Sequence, residues 1–151
     1  MLPDNTDDRG TPDLEIAGLS IWVNRRFDPQ SMDAYLIDLL MATACCSNDG
    51  ATVWLRCNVT SSGVAGFASR CEHIHSHLQG KAELSSDELS LEVALEATDR
   101  AGHVTAVVEI RPHHADQQHR FTFRIDQSHL PAIVRQCRAI LTRYPNPHSW
   151  E

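Results

Sequence analysis

The chain has 151 residues, 42% of them apolar and 22% charged, with 7 Gly, 7 Pro and a formal charge of −7. That length suits one domain with one sizeable core, and the composition excludes disorder and low complexity. No apolar run reaches the roughly 18 residues of a membrane helix, and the net acidity argues against nucleic acid, whose phosphates are met by Lys and Arg.

The start, MLPDNTDDRG, is acidic where a secretory leader would be basic and then apolar, so a cytoplasmic address is expected. Residues 1–13 carry Asp4, Asp7, Asp8 and Asp13 with little that is apolar, and read as a loose, solvated acidic tail. Residues 14–145 read as the domain and 146–151 as a short C-terminal tail. A first strand is expected over 14–24, with Leu19, Ile21 and Val23 on one face, Trp22 on the other and a bulge at Ala17-Gly18.

Residues 34–46 satisfy helical spacing at Tyr35, Leu39 and Ala42, but the turn cluster Ser47, Asn48, Asp49, Gly50 favours a hairpin. On that reading 34–46 is an interior strand, apolar on both faces, paired with the alternating strand Val53, Leu55, Cys57, Val59. Ser61 or Ser62 offers a helix cap. Val64, Phe67, Cys71, Ile74 and Leu78 then follow at steps of three and four up to a stop at Gly80.

Residues 88–97 alternate, turn around Asp99 to Gly102, and return through Val104, Ala106, Val108 and Ile110. After a polar loop at 113–118, Phe121, Phe123 and Ile125 alternate as a strand. The period then becomes helical at Leu130, Ile133, Val134, Cys137, Ile140, Leu141 and Tyr144, with Pro131 in the first turn and Asp126 as a cap.

The fold class expected is α+β: a single, mostly antiparallel sheet of six or seven strands with two amphipathic helices packed on one face. The helix-free face would carry Trp22, Trp54, Arg56, Glu92, Glu96, Val107, Glu109 and Arg124, a mixture interfaces favour. Trp22 and Trp54 are equally readable as core residues. A second copy of the chain on that face would make a homodimer.

Catalytic and cofactor signatures are absent: there is no Gly-rich phosphate loop, G-x-S-x-G or HExxH. An enzyme is therefore not expected, nor any cofactor. The five cysteines (45, 46, 57, 71, 137) include no C-x-x-C pair and read as reduced packing residues, Cys137 on an apolar stripe included. In HIHSH, His73 and His77 lie four apart on one helical face beside Glu72, but a tight zinc site needs three or four ligands. A metal-binding or regulatory module through His73 and His77 is the alternative reading; His103, His113, His114, His119, His129 and His148 fall in turns or at element ends.

The segments AYL (34–36), the helix through Phe67 and Leu78 into KAEL, LSLEVAL, DRAGHV and FRIDQSHLPAIVRQCRAILTRYP resemble the WapI-type bacterial immunity proteins and related immunity-like domains. The shared pattern is a strand, Asp-Gln, a small hydroxyl residue, Leu-Pro, a helix and a final aromatic-Pro, met here by Arg124 to Pro131 and by Tyr144-Pro145. The resemblance covers about residues 34–145. It implies a non-enzymatic cytoplasmic antidote that binds and blocks a cognate toxin domain, often a nuclease, and it defines no binding residue. The partner-binding residues nominated on the helix-free face are Trp22, Trp54, Glu92, Glu96 and Glu109.

Overall fold

The computed structural model describes residues 10–112 and 116–145. In chain order the elements are β1 (Leu14–Ile16), β2 (Leu19–Arg26), α1 (Ala34–Asp38), β3 (Leu39–Ser47), β4 (Thr52–Thr60), α2 (Ser61–His77), β5 (Lys81–Ser85), β6 (Leu91–Ala97), β7 (His103–Ile110), β8 (His119–Asp126) and α3 (Leu130–Arg143). Single 3-10 turns occupy Asp87–Leu89 and Gln127–His129.

The expectation of one sheet with two helices is overturned. Among the described residues there are two four-stranded antiparallel sheets, ordered β1-β2-β3-β4 and β5-β6-β7-β8, and three helices. Alternation fixes which face of a strand is buried, not which strand lies beside it. Here every strand pairs with its neighbour in sequence, and α2 carries the chain away after β4, so β4 and β5 become the last and first strands of separate sheets.

Three local differences share simple causes. Residues 34–38 form a short helix instead of opening a strand, because the Asp33 carboxylate accepts the N–H groups of Tyr35 and Leu36 and starts a turn. Ala17-Gly18 is a tight turn between β1 and β2, with Ala17 at φ 50°, and the bulge lies further on, between Val23 and Arg25. β6 begins at Leu91 and not at Glu88, since Glu88 and Leu89 both hold positive φ and break the extended run.

Helix α2 is capped by Thr60, whose hydroxyl accepts the Gly63 N–H at 2.9 Å. Ser61 and Ser62, the caps expected from sequence, instead donate their hydroxyls to the buried carboxylate of Asp38. The helix closes on Leu78 in a left-handed conformation, two residues before Gly80. At the other junction Asp126 caps as expected: it accepts the Ser128 N–H at 2.9 Å, and Pro131 sits in the first turn of α3.

The apolar faces of both sheets and the stripes of α2 (Val64, Phe67, Cys71, Ile74) and α3 (Leu130, Ile133, Cys137, Ile140) join in one core. The two helices pack on each other, and Arg138 of α3 pairs with Glu72 of α2 at 2.8 Å. Helix α3 also reaches back to the start of the domain. Gln136 Oε1 accepts the Glu15 N–H at 2.9 Å, and Arg143 pairs with Asp13 at 2.7 Å. Asp13, expected in the solvated tail, also accepts the Val23 N–H at 2.7 Å, so it is tied to β2.

Candidate functional site

Strand register builds the outward face of the second sheet in rows. Lys81, Glu96, Thr105 and Arg124 lie side by side across the four strands; then Glu83, Ala94, Val107 and Thr122; then Ser85, Glu92, Glu109 and Arg120. These positions alternate with the buried Ala82, Leu84, Val93, Leu95, Ala106 and Val108, which is why the face is polar at its margins and floored by small aliphatic side chains. It holds an open depression of about 250 Å³ over Ala94 and Val107, lined by Glu83, Glu92, Glu96 and Glu109 together with Lys81 and Arg120.

Glu92 and Glu109 stand directly opposite one another on β6 and β7. Like charges in that relation repel, and a cation between them removes the penalty. Arg111, one residue past β7, supplies it: its guanidinium lies 2.6 Å from Glu92 Oε2 and 3.5 Å from Glu109 Oε1. Gln118 donates to the second oxygen of Glu109 at 3.2 Å, and Lys81 lies 3.5 Å from Glu83. Arg111 and Glu83 were not among the nominated residues. The signal for Glu83 was the alternation of KAEL, and the signal for Arg111 was a pair of facing glutamates with no cation between them in the strands.

The tryptophans belong elsewhere. Trp22 is on β2 and Trp54 on β4, in the first sheet, so the five nominated residues do not share a sheet face. The two rings reach across β3 and stack at a centroid distance of 5.7 Å and an interplanar angle of 16°. Trp22 is 7% exposed and its indole N–H donates to the Gly10 carbonyl at 3.0 Å, whereas Trp54 is half-buried. Trp22 is therefore packed under the segment that precedes β1, and Trp54 is the more accessible of the pair.

His73 and His77 stack on each other at 4.2 Å, and His77 Nδ1 lies 3.1 Å from the His73 carbonyl oxygen, the geometry of two rings on one exposed helical face. Among the described residues no group of three or more His, Cys, Asp or Glu side chains is arranged to hold a metal ion. His113, His114 and His148 lie outside the described residues. Burial pushes the thiols of Cys46, Cys57, Cys71 and Cys137 up to about 12, which keeps them protonated and poor nucleophiles. Among the described residues no helix is long and apolar enough to cross a membrane.

The arrangement is suited to recognition: a charged sheet face on a rigid two-sheet frame, with aliphatic floor and ionic rim. No curated protein and no solved structure matches the chain. The profile of the Immunity protein WapI-like family, by contrast, matches residues 12–145, from the residue before Asp13 through the whole of α3. The strand, Asp-Gln-Ser cap and Leu-Pro helix start that the structure displays at residues 124–131 fall inside that match, and the chain belongs to the Immunity protein WapI-like family.

Proposed function

We propose that this protein is a non-enzymatic, cytoplasmic immunity protein that neutralises a cognate toxin domain by direct binding, with the outward face of β5–β8 as its principal contact. The observation that carries this reading is the solvent-facing rim of Glu83, Glu92, Glu96 and Glu109 around Ala94 and Val107. With four carboxylates against Lys81 and Arg120, the rim stays net acidic about an aliphatic floor and matches a basic surface, and the chain's net charge of −7 steers such a partner toward it. A nuclease, whose substrate is anionic, is the toxin class with that complementary charge.

Within the nominated set, Glu92, Glu96 and Glu109 act together as the acidic contact. Arg111 holds the first and last of them in fixed rotamers and so reduces the entropy lost on binding. Trp54 is a separate aromatic anchor on the first sheet, and Trp22 is the ring that supports it. The homodimer reading has no such complementarity, since it would oppose two chains of like net charge.

The test begins by reading the genomic neighbourhood for a toxin gene; its toxin domain is co-expressed with this protein, and calorimetry follows against a catalytically inactivated form of that domain. Glu96→Lys combined with Glu83→Lys spares the Arg111 bridge. It is expected to weaken binding at least about tenfold, mainly through a slower, strongly salt-dependent association. Unchanged protection and affinity in that variant, with the fold intact by circular dichroism, would discard the acidic face as the contact.

A further inference from the structure

Large apolar side chains are exposed at four places among the described residues: Phe27 (43%), Met32 (100%), Tyr35 (48%) and Leu89 (54%). Phe27 and Met32 lie between β2 and α1, and Tyr35 lies in α1. The fourth is brought to Tyr35 by a cross-link between sheets, in which the Tyr35 hydroxyl donates to Asp87 Oδ1 at 2.5 Å, two residues before Leu89. Tyr35 and the Asp87–Leu89 turn are thus adjacent at the surface.

That turn is held in place at a conformational cost. Glu88 (φ 65°) and Leu89 (φ 59°) are consecutive left-handed residues, a conformation that disfavours any residue with a Cβ. Four fixed bonds impose it. The Leu89 N–H donates to the Ser86 carbonyl, the buried Ser86 hydroxyl accepts the Leu91 N–H at 2.8 Å, Arg111 N–H donates to the Ser90 carbonyl, and Arg111 Nη1 donates to the Leu89 carbonyl at 3.1 Å. A tight turn alone would be served better by glycine at both positions. What these residues add is a leucyl side chain held out into solvent.

We infer that Leu89 and Tyr35 form an apolar ridge that inserts into a hydrophobic pocket on the basic surface of the toxin. This rests on the function proposed above and extends the contact beyond the acidic depression. The same Arg111 guanidinium that bonds the Leu89 carbonyl bridges Glu92 and Glu109, so ridge and depression are one continuous surface. The ridge is also bordered by Asp33 and Asp87, which a basic partner complements and a second copy of this acidic chain does not.

The experiment uses the full chain and the same inactivated toxin domain, with Leu89→Gly and Glu96→Lys measured side by side. Leu89→Gly removes the side chain and relieves the backbone, so a melting temperature equal to or above that of the unaltered chain is expected. Its affinity should nevertheless drop about tenfold or more through faster dissociation with little salt dependence. Tyr35→Ala is a second probe of the same ridge and should weaken binding in the same way.

If both ridge variants dissociate like the unaltered chain while Glu96→Lys binds weakly, the ridge is overturned and the acidic contact stands. If neither ridge nor acidic variants change a measurable affinity, both readings fall. Sedimentation showing a dimer that Leu89→Gly abolishes would assign the ridge to a second copy and likewise overturn the toxin contact.

Discussion

A Cβ at Gly18 would sit 2.1 Å from the Ser47 carbonyl oxygen and 2.8 Å from Phe123 Cζ, so this turn between β1 and β2 admits only glycine. The oxygen is backbone and cannot swing aside. Gly18→Ala is expected to lower stability by about 3 kcal/mol, at the upper end of overpacking costs, readable by urea unfolding. Asp38 makes a second exposing case: it is 4% exposed and accepts from the hydroxyls of both Ser61 and Ser62. Asp38→Ala leaves those donors without their acceptor and should cost about 2 kcal/mol. Thiol chemistry gives a third measurement. Cys46, Cys57, Cys71 and Cys137 are buried and Cys45 is half-buried, so a thiol reagent should titrate no more than one cysteine before denaturant is added. The buried character of Cys57, Cys71 and Cys137 was readable from their place on apolar stripes, which did not extend to Cys46. The packing of Trp22 was not, because the residue that accepts its N–H, Gly10, precedes the first strand and carries no apolar signal of its own.

Helices and strands were legible in proportion to how many periods they span. α3 and β8 show long runs of helical and alternating spacing, and their junction was legible to the cap because Asp126 and Pro131 are chemically specific signals. α1 spans five residues, too few for 3.6-residue spacing to be told from alternation, and only the side chain of Asp33 decides it. α2 was found, but its cap was placed one or two residues late, at Ser61 or Ser62 instead of Thr60, among three consecutive hydroxyls that sequence alone cannot rank. Thr60→Ala should cost about 1 kcal/mol, the usual value of such a cap. The β6–β7 hairpin carries an acid-sensitive pair. Hydrogen bonds from His103 and the Ala101 N–H hold the Asp99 carboxyl below its ordinary 3.8. A lowered folded value means that the stabilisation is present above 3.8 and is lost as pH falls through the depressed value. The melting temperature of Asp99→Asn should therefore lie slightly below that of the unaltered chain near neutrality and converge with it in strong acid.

Among the described residues the order of elements nearly repeats: four strands in meander and then a helix, twice, with α1 inserted between β2 and β3 in the first half and with α2 and α3 packed on one another over a shared core. The burial pattern of nearly every strand was readable, yet the division into two sheets was not, because inward-facing residues at β4 and β5 say nothing about whether those strands touch. The nominated site suffered the same limit. Alternation correctly placed Glu92, Glu96 and Glu109 together on one face, but Trp22 and Trp54 were assigned to that face only by assuming one continuous sheet. Helix α3 meanwhile ends where the first strand begins, through Gln136 on Glu15 and Arg143 on Asp13. The ring this closes makes the chain a subject for circular permutation. Opening it between Gln79 and Gly80 and linking residue 145 to residue 10 interrupts no strand pairing, so a permutant so cut should melt cooperatively, with the same spectroscopic signature as the parent order.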